Sequence, residues 1–203
     1  MVPVLYIISA ENSKTAISHA KHALATGCKW IQLQVDKLSE SKAERTAKEI
    51  KKLCREQDAT FIIENAIDLV KAIEADGIHL TNGMTTAEAR QTLGEGFLIG
   101  LNVNNADDVI SNKKQSADYI CCGPFIDSVN STEPGLTLKD YENIVSEVEA
   151  KGITLPLTAF GNIFPEQVDS ILKTGIRGIM IQINEEDPDE QSIKSTLGHF
   201  LNA

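Results

Sequence analysis

The sequence predicts a single (β/α)8 TIM barrel of the α/β class spanning residues 1–203, and three observations carry that expectation. Short β-rich runs alternate with longer amphipathic stretches, the pattern of parallel strands joined by crossover helices. Eight such pairs can be counted, and eight strands close into a barrel whose interior side chains can fill. The glycine-rich signatures of open doubly wound sheets are missing: no GxGxxG follows the first strand and no GxxxxGK[ST] occurs.

The first unit pairs a strand at 4–8 with a helix at 13–26, which Gly27 ends. The second pairs a strand at 30–35 with a helix at 39–57, opened by Ser39 before a charged run. Here Ala43, Ala47, Ile50 and Cys54 recur every three or four residues, so an apolar stripe faces the sheet while Lys42, Glu44, Lys48 and Lys51 stay wet. Strands at 60–63, 77–80 and 98–102 are followed by helices at 66–74, 85–93 and 106–115. The sixth unit joins a strand at 119–123 to a helix at 138–151 closed by Gly152. In the seventh, a strand at 155–160 precedes a helix at 165–173, with Pro165 in the first turn and Gly175 beyond the end. The eighth comprises a strand at 178–183 and a helix at 188–201.

Composition supports a soluble fold, with 42% hydrophobic and 24% charged residues. No apolar run approaches the ~20 residues of a membrane helix, and the first residues lack a basic leader, so a cytoplasmic protein without membrane contact is expected. A net charge of −10 with no basic cluster argues against nucleic acid as a partner. Cys28, Cys54, Cys121 and Cys122 show no metal-type spacing and read as buried reduced thiols. His19 and His22 share a helix face and read as solvated outer-helix residues.

In such barrels chemistry gathers where strands end and the following loops begin. Those positions hold Gln32, Gln34 and Asp36; Glu64 and Asn65; His79, Thr81 and Asn82; Asn102 and Asn104; the loop 124–135; Gly161 and Asn162; and Gln182 and Asn184. Gln32 and Gln34 lie on one face of a strand, and inward amides must find partners or cost about 1–3 kcal/mol for each unsatisfied group. They read equally as ligand contacts or as satisfied core amides. Glu64 reads as a solvated loop acid or part of a cation site, and His79 as a site residue or a hydrogen-bonded structural histidine.

The segments ADGIHLTNGMTTAEARQTLGEGFLIGLN, ADYICCGPF and FGNI, with IQLQ and FIIENAIDLV upstream, resemble the thiamine phosphate synthase family in pattern, spacing and order. The resemblance implies a barrel that joins a pyrimidine diphosphate to a thiazole phosphate in thiamine biosynthesis, with Mg2+ holding the pyrophosphate. Cations are needed because charge develops on the leaving oxygens. Carried over by position, the family's strand-two Arg and Lys fall on Gln34 and Asp36, with Lys37 adjacent. Its first metal-binding Asp falls on Asn65, beside Glu64, and its second on Met84. In the loop after strand six, Ser128 stands for one Thr, while Asn130 and Ser131 fall where a Thr and a Lys belong. The Gly-Gly pair of strand seven becomes Gly161 and Asn162. The related thiazole tautomerases would place their catalytic His at Pro124.

The expectation is therefore a thiamine phosphate synthase-like transferase, weak or inactive because its metal and pyrophosphate ligands are substituted. Mg2+ is its cofactor only if the family activity is retained. Expected ligand contacts are Gln32, Gln34, Lys37, Glu64, Asn65 and His79, together with Asn82, Asn102, Ser128, Asn130, Gly161, Asn162 and Gln182. The partner is a small thiazole or pyrimidine phosphate, and a homo-oligomer is possible. The alternative is a non-catalytic or repurposed barrel that reads a small heterocyclic or phosphorylated ligand through its amides. Imine-forming aldolase chemistry would want a lysine at a strand end, and none of the predicted strands has one.

Overall fold

A computed structural model describes residues 3–9, 11–81, 83–114, 116–126, 134–183 and 189–202. Eight parallel strands form a closed barrel in sequence order, β1 pairing with β8. The strands are β1 (Val4–Ile8), β2 (Trp30–Leu33), β3 (Thr60–Glu64), β4 (Gly77–Leu80), β5 (Leu98–Val103), β6 (Tyr119–Phe125), β7 (Leu157–Gly161) and β8 (Gly178–Gln182). The helices are α1 (Ser13–Ala25), α2 (Glu40–Glu56), α3 (Ile67–Ile73), α4 (Thr86–Leu93), α5 (Ala106–Lys114), α6 (Leu138–Ala150), α7 (Val168–Lys173) and α8 (Glu190–Leu201). No helix among the described residues is long and apolar enough to cross a membrane.

Every predicted unit is present, with shifted ends. β7 begins at Leu157 because the preceding Pro156 has no N–H for the ladder, although its carbonyl still accepts from Ile120 N. Pro165 opens a short 3₁₀ turn, Pro165–Gln167, that runs into α7. Side chains cap the orphan amides of several helix starts. Asn12 accepts from Thr15 N at 3.0 Å and Asp189 from Ser192 N at 2.7 Å, while Thr85 with Glu88 and Thr137 with Asp140 make reciprocal capping boxes.

Alternation along each strand splits the core into two layers. Outward residues such as Tyr6, Ile31, Phe61, Ile78, Ile99, Ile120 and Ile179 pack against the helix ring. Inward residues Leu5, Tyr119, Cys121 and Met180 fill the lumen, with Ile7, Trp30, Leu98 and Phe160 around them. Cys121 thus faces the lumen and Cys122 the helices. All four thiols are free and buried. Burial pushes Cys28 up to about 11 and Cys54, Cys121 and Cys122 up to about 12.

The aspartates of the ADG and ADY segments anchor strand feet. Asp76 Oδ2 accepts from Phe61 N at 2.7 Å, and Asp118 Oδ2 accepts from Ile99 N at 2.8 Å. Asp118 also pairs with Arg90, a nearly buried α4 residue. The Arg90 guanidinium further donates to the carbonyls of Gly94, Phe97 and Ser116 at 2.7, 2.7 and 3.1 Å.

Contrary to expectation, His19 is buried and His22 is half-buried, 3.5 Å from Glu190. The reason is position: His19 shares the buried side of α1 with Ala16, Ala20 and Ala23, and α2 and α8 flank the helix, while Lys14 and Lys21 stay exposed.

Candidate active site

Gln32 and Gln34 point into the upper lumen, as alternation from Trp30 requires. Their partner is Glu64 at the end of β3. Gln32 Nε2 donates to Glu64 Oε2 at 2.8 Å, and Gln34 Nε2 donates to the same oxygen at 3.0 Å. Thr81 Oγ1 reaches Glu64 Oε1 at 3.5 Å. The next residue, Asn65, takes a positive φ of 55° and clasps Thr81 twice: Nδ2 donates to Thr81 Oγ1 at 2.7 Å, and Oδ1 accepts from Thr81 N at 2.9 Å. Gln32 is completely buried, yet its Oε1 has no hydrogen-bond partner among the described residues.

Strand register runs a lateral row from Glu64 through His79 and Gly100 to Tyr119. Because the strands are staggered, this row joins the end of β3 to the first residue of β6. A side chain at Gly100 would meet the Tyr119 ring, whose atoms lie 2.0 Å from an ideal Cβ there, so the glycine makes room for the phenol. The Tyr119 hydroxyl sits 3.1 Å from His79 Nδ1, and Asn102 Oδ1 sits 2.9 Å from His79 Nε2.

A carbonyl oxygen only accepts, so His79 Nε2 carries the proton and Nδ1 accepts from Tyr119. Burial lowers the His79 pKa to about 4, against which the Asn102 hydrogen bond acts in the opposite direction. The imidazole is therefore neutral near pH 7. Burial likewise holds the Tyr119 phenol protonated, its pKa raised well above the ordinary range. With its oxygen committed, Asn102 has an NH2 group that makes no hydrogen bond among the described residues.

The other expected contacts lie apart from this cluster. Lys37 is exposed in the turn after β2, Asn162 is exposed after β7, and Gln182 is exposed at the end of β8. Gly161 has φ 135°, and an ideal Cβ there would lie 2.4 Å from Phe125 N, so the close approach of β6 accounts for this glycine without a bound phosphate. Gly161→Ala is expected to cost about 1–3 kcal/mol in urea unfolding, from backbone strain and overpacking; an unchanged midpoint would contradict that account. Asn82, Ser128 and Asn130 lie outside the described residues.

A family profile described as thiamine monophosphate synthase matches residues 5–182. The chain belongs to the thiamine monophosphate synthase family. Among the family's relatives, thiamine-phosphate synthase of Phocaeicola vulgatus is 38% identical, over 92% of this chain and 93% of that protein. Thiamine-phosphate synthase of Bacteroides thetaiotaomicron is 35% identical, over 96% of each. In structure, thiamine phosphate pyrophosphorylase from Pyrococcus furiosus superposes with a TM-score of 0.81 at 23% identity, covering 98% of this chain and 94% of that one; that likeness establishes the shared fold.

The Mg2+ that the thiamine monophosphate synthase family implies can be tested against these donors. Glu64 Oε2 already accepts two amide N–H bonds. No group of three or more His, Cys, Asp or Glu able to hold a metal occurs among the described residues. A Mg2+ site needs oxygen donors arranged in near-octahedral geometry, usually one or two carboxylates completed by phosphate and water. Glu64 is the one carboxylate of this cluster among the described residues, so a Mg2+ held here would take its remaining oxygens from substrate phosphate and water.

Proposed function

We propose that this mouth couples a pyrimidine diphosphate to a thiazole phosphate, as a cytoplasmic thiamine phosphate synthase of thiamine biosynthesis with slowed turnover. The observation that carries the reading is the Glu64 carboxylate gripped by the amides of Gln32 and Gln34, beside the neutral His79–Asn102 pair, in a chain of this family. The Glu64 carboxylate receives an N–H group of a heterocycle, and the Asn102 NH2 donates to a ring nitrogen or phosphate oxygen. Orientation is supplied in full, because each of these groups is held by a neighbour.

Charge stabilisation is where the site falls short. As pyrophosphate leaves, its oxygens gain negative charge, and a guanidinium or ammonium answers that charge with bonds roughly twice as strong as neutral ones. Gln34 offers only a neutral amide, already committed to Glu64, and Asp36 puts an acid in the turn after β2 where the family's Lys belongs. Slow chemistry with intact binding follows.

Purified protein with Mg2+ and both substrates is expected to form thiamine phosphate, about tenfold or more slowly than the Phocaeicola vulgatus relative. Gln34→Arg, which places a cation against Glu64, is expected to raise kcat by about the same factor. Full-rate coupling by the unaltered chain would refute the slowed-turnover reading. Absence of product in both forms, with thermal stabilisation by the heterocycles, would replace catalysis with ligand binding.

A further inference from the structure

At the opposite end of the barrel, under the strand feet, lies a cavity of about 480 Å3. Its size falls within the usual range for small-molecule sites, about 300–1,000 Å3. Leu5, Trp30, Leu98 and Tyr119 line it from the lumen, and Lys29 and Arg177 stand among its outer residues. Lys29 Nζ donates to the Gln57 carbonyl, and Asp118, also lining the cavity, is neutralised by Arg90. The exposed Arg177 side chain has no hydrogen-bond or ion-pair partner among the described residues. Trp30 packs edge-on against Tyr119 with ring centroids 5.1 Å apart, and its buried indole N–H lacks an acceptor among the described residues.

These features select a chemistry. Apolar and aromatic walls exclude sugars and nucleotides, whose hydroxyls would go unpaired. A guanidinium at the edge, unpaired among the described residues while Asp118 is held by Arg90, matches the two oxygens of a carboxylate. We infer that this cavity is a second binding site, for a small aromatic carboxylate whose ring packs on Trp30, Leu98 and Tyr119 and whose anion meets Arg177. The inference is independent of the activity at the other mouth.

Trp30 is the single tryptophan of the chain, so its fluorescence reports on this cavity directly. Titration of the intact protein with 4-iodobenzoate is expected to give saturable quenching through contact with iodine. Losing one charge-assisted contact weakens binding about ten- to hundredfold, the effect expected for Arg177→Ala and for the uncharged 4-iodobenzamide. Arg177 is exposed, so the variant should fold, which a thermal melt verifies. Four results would each overturn the site: no quenching, non-saturating quenching, equal affinity in the Arg177→Ala protein, or displacement of the probe by thiazole phosphate.

Discussion

Arg90→Ala is expected to remove about 3–5 kcal/mol from the unfolding free energy, measured by urea or thermal unfolding at neutral pH. The size follows from what the guanidinium holds together. It satisfies three carbonyls from two different loops, those of Gly94, Phe97 and Ser116, and neutralises Asp118. With alanine in place, those acceptors remain partly shielded from water without donors, and Asp118 becomes a poorly compensated charge beside the foot of β5. Since Asp118 also fixes Ile99 N, the loss propagates into the barrel wall. Arg90→Lys should recover only part of the stability, because one ammonium cannot reproduce the planar fork that reaches both the α4–β5 and the α5–β6 loops. A loss below about 1 kcal/mol would show that these bonds are replaced by water at little cost.

A second large effect is set by pH. Because His79 titrates near 4 when folded and near 6.5 when free, the unfolded chain takes up this proton first as the solution is acidified. The stability His79 contributes is thus fully present above pH 6.5, is lost as pH falls toward about 4, and declines no further below that. The drop amounts to roughly 3 kcal/mol at 1.36 kcal/mol per unit. His79→Gln keeps a donor and an acceptor for Asn102 and Tyr119 but cannot titrate. Its stability at pH 7 falls modestly, while the acid-dependent slope between pH 6.5 and 4 shrinks relative to the unaltered protein. Parallel pH profiles for the two proteins would mean that the ring protonates as easily folded as unfolded.

Alternation and spacing made the eight units legible, because each apolar stripe or β-rich run reports its own local period. The helix and strand ends were less so, since they depend on neighbours: β6 runs on to Phe125 only because Gly161 of β7 lets it approach. In the mouth, the shared face of Gln32 and Gln34 was readable from their spacing of two. Their common partner was not. Glu64 reaches them through the register between β2 and β3, a property of the closed barrel that no single segment encodes. Tyr119 was overlooked for the same reason, as it opens its own strand yet lies level with His79 once the strands are staggered. The parity of ADYICC, which turns Tyr119 inward with Cys121, was the available signal. His19 misled in the other direction: a polar face on an outer helix looks wet until adjacent helices flank it.

The enclosure of every native thiol has a practical corollary. Cysteines that titrate near 11 to 12 expose almost no thiolate at neutral pH, and these four also lack access to reagents. The folded protein should be inert to maleimides, whereas Gln182→Cys would react promptly at an open strand end. A spectroscopic tag could then be attached beside the mouth in a single step, leaving Cys28, Cys54, Cys121 and Cys122 untouched; mass spectrometry showing more than one adduct per folded Gln182→Cys chain would reveal breathing of the barrel wall.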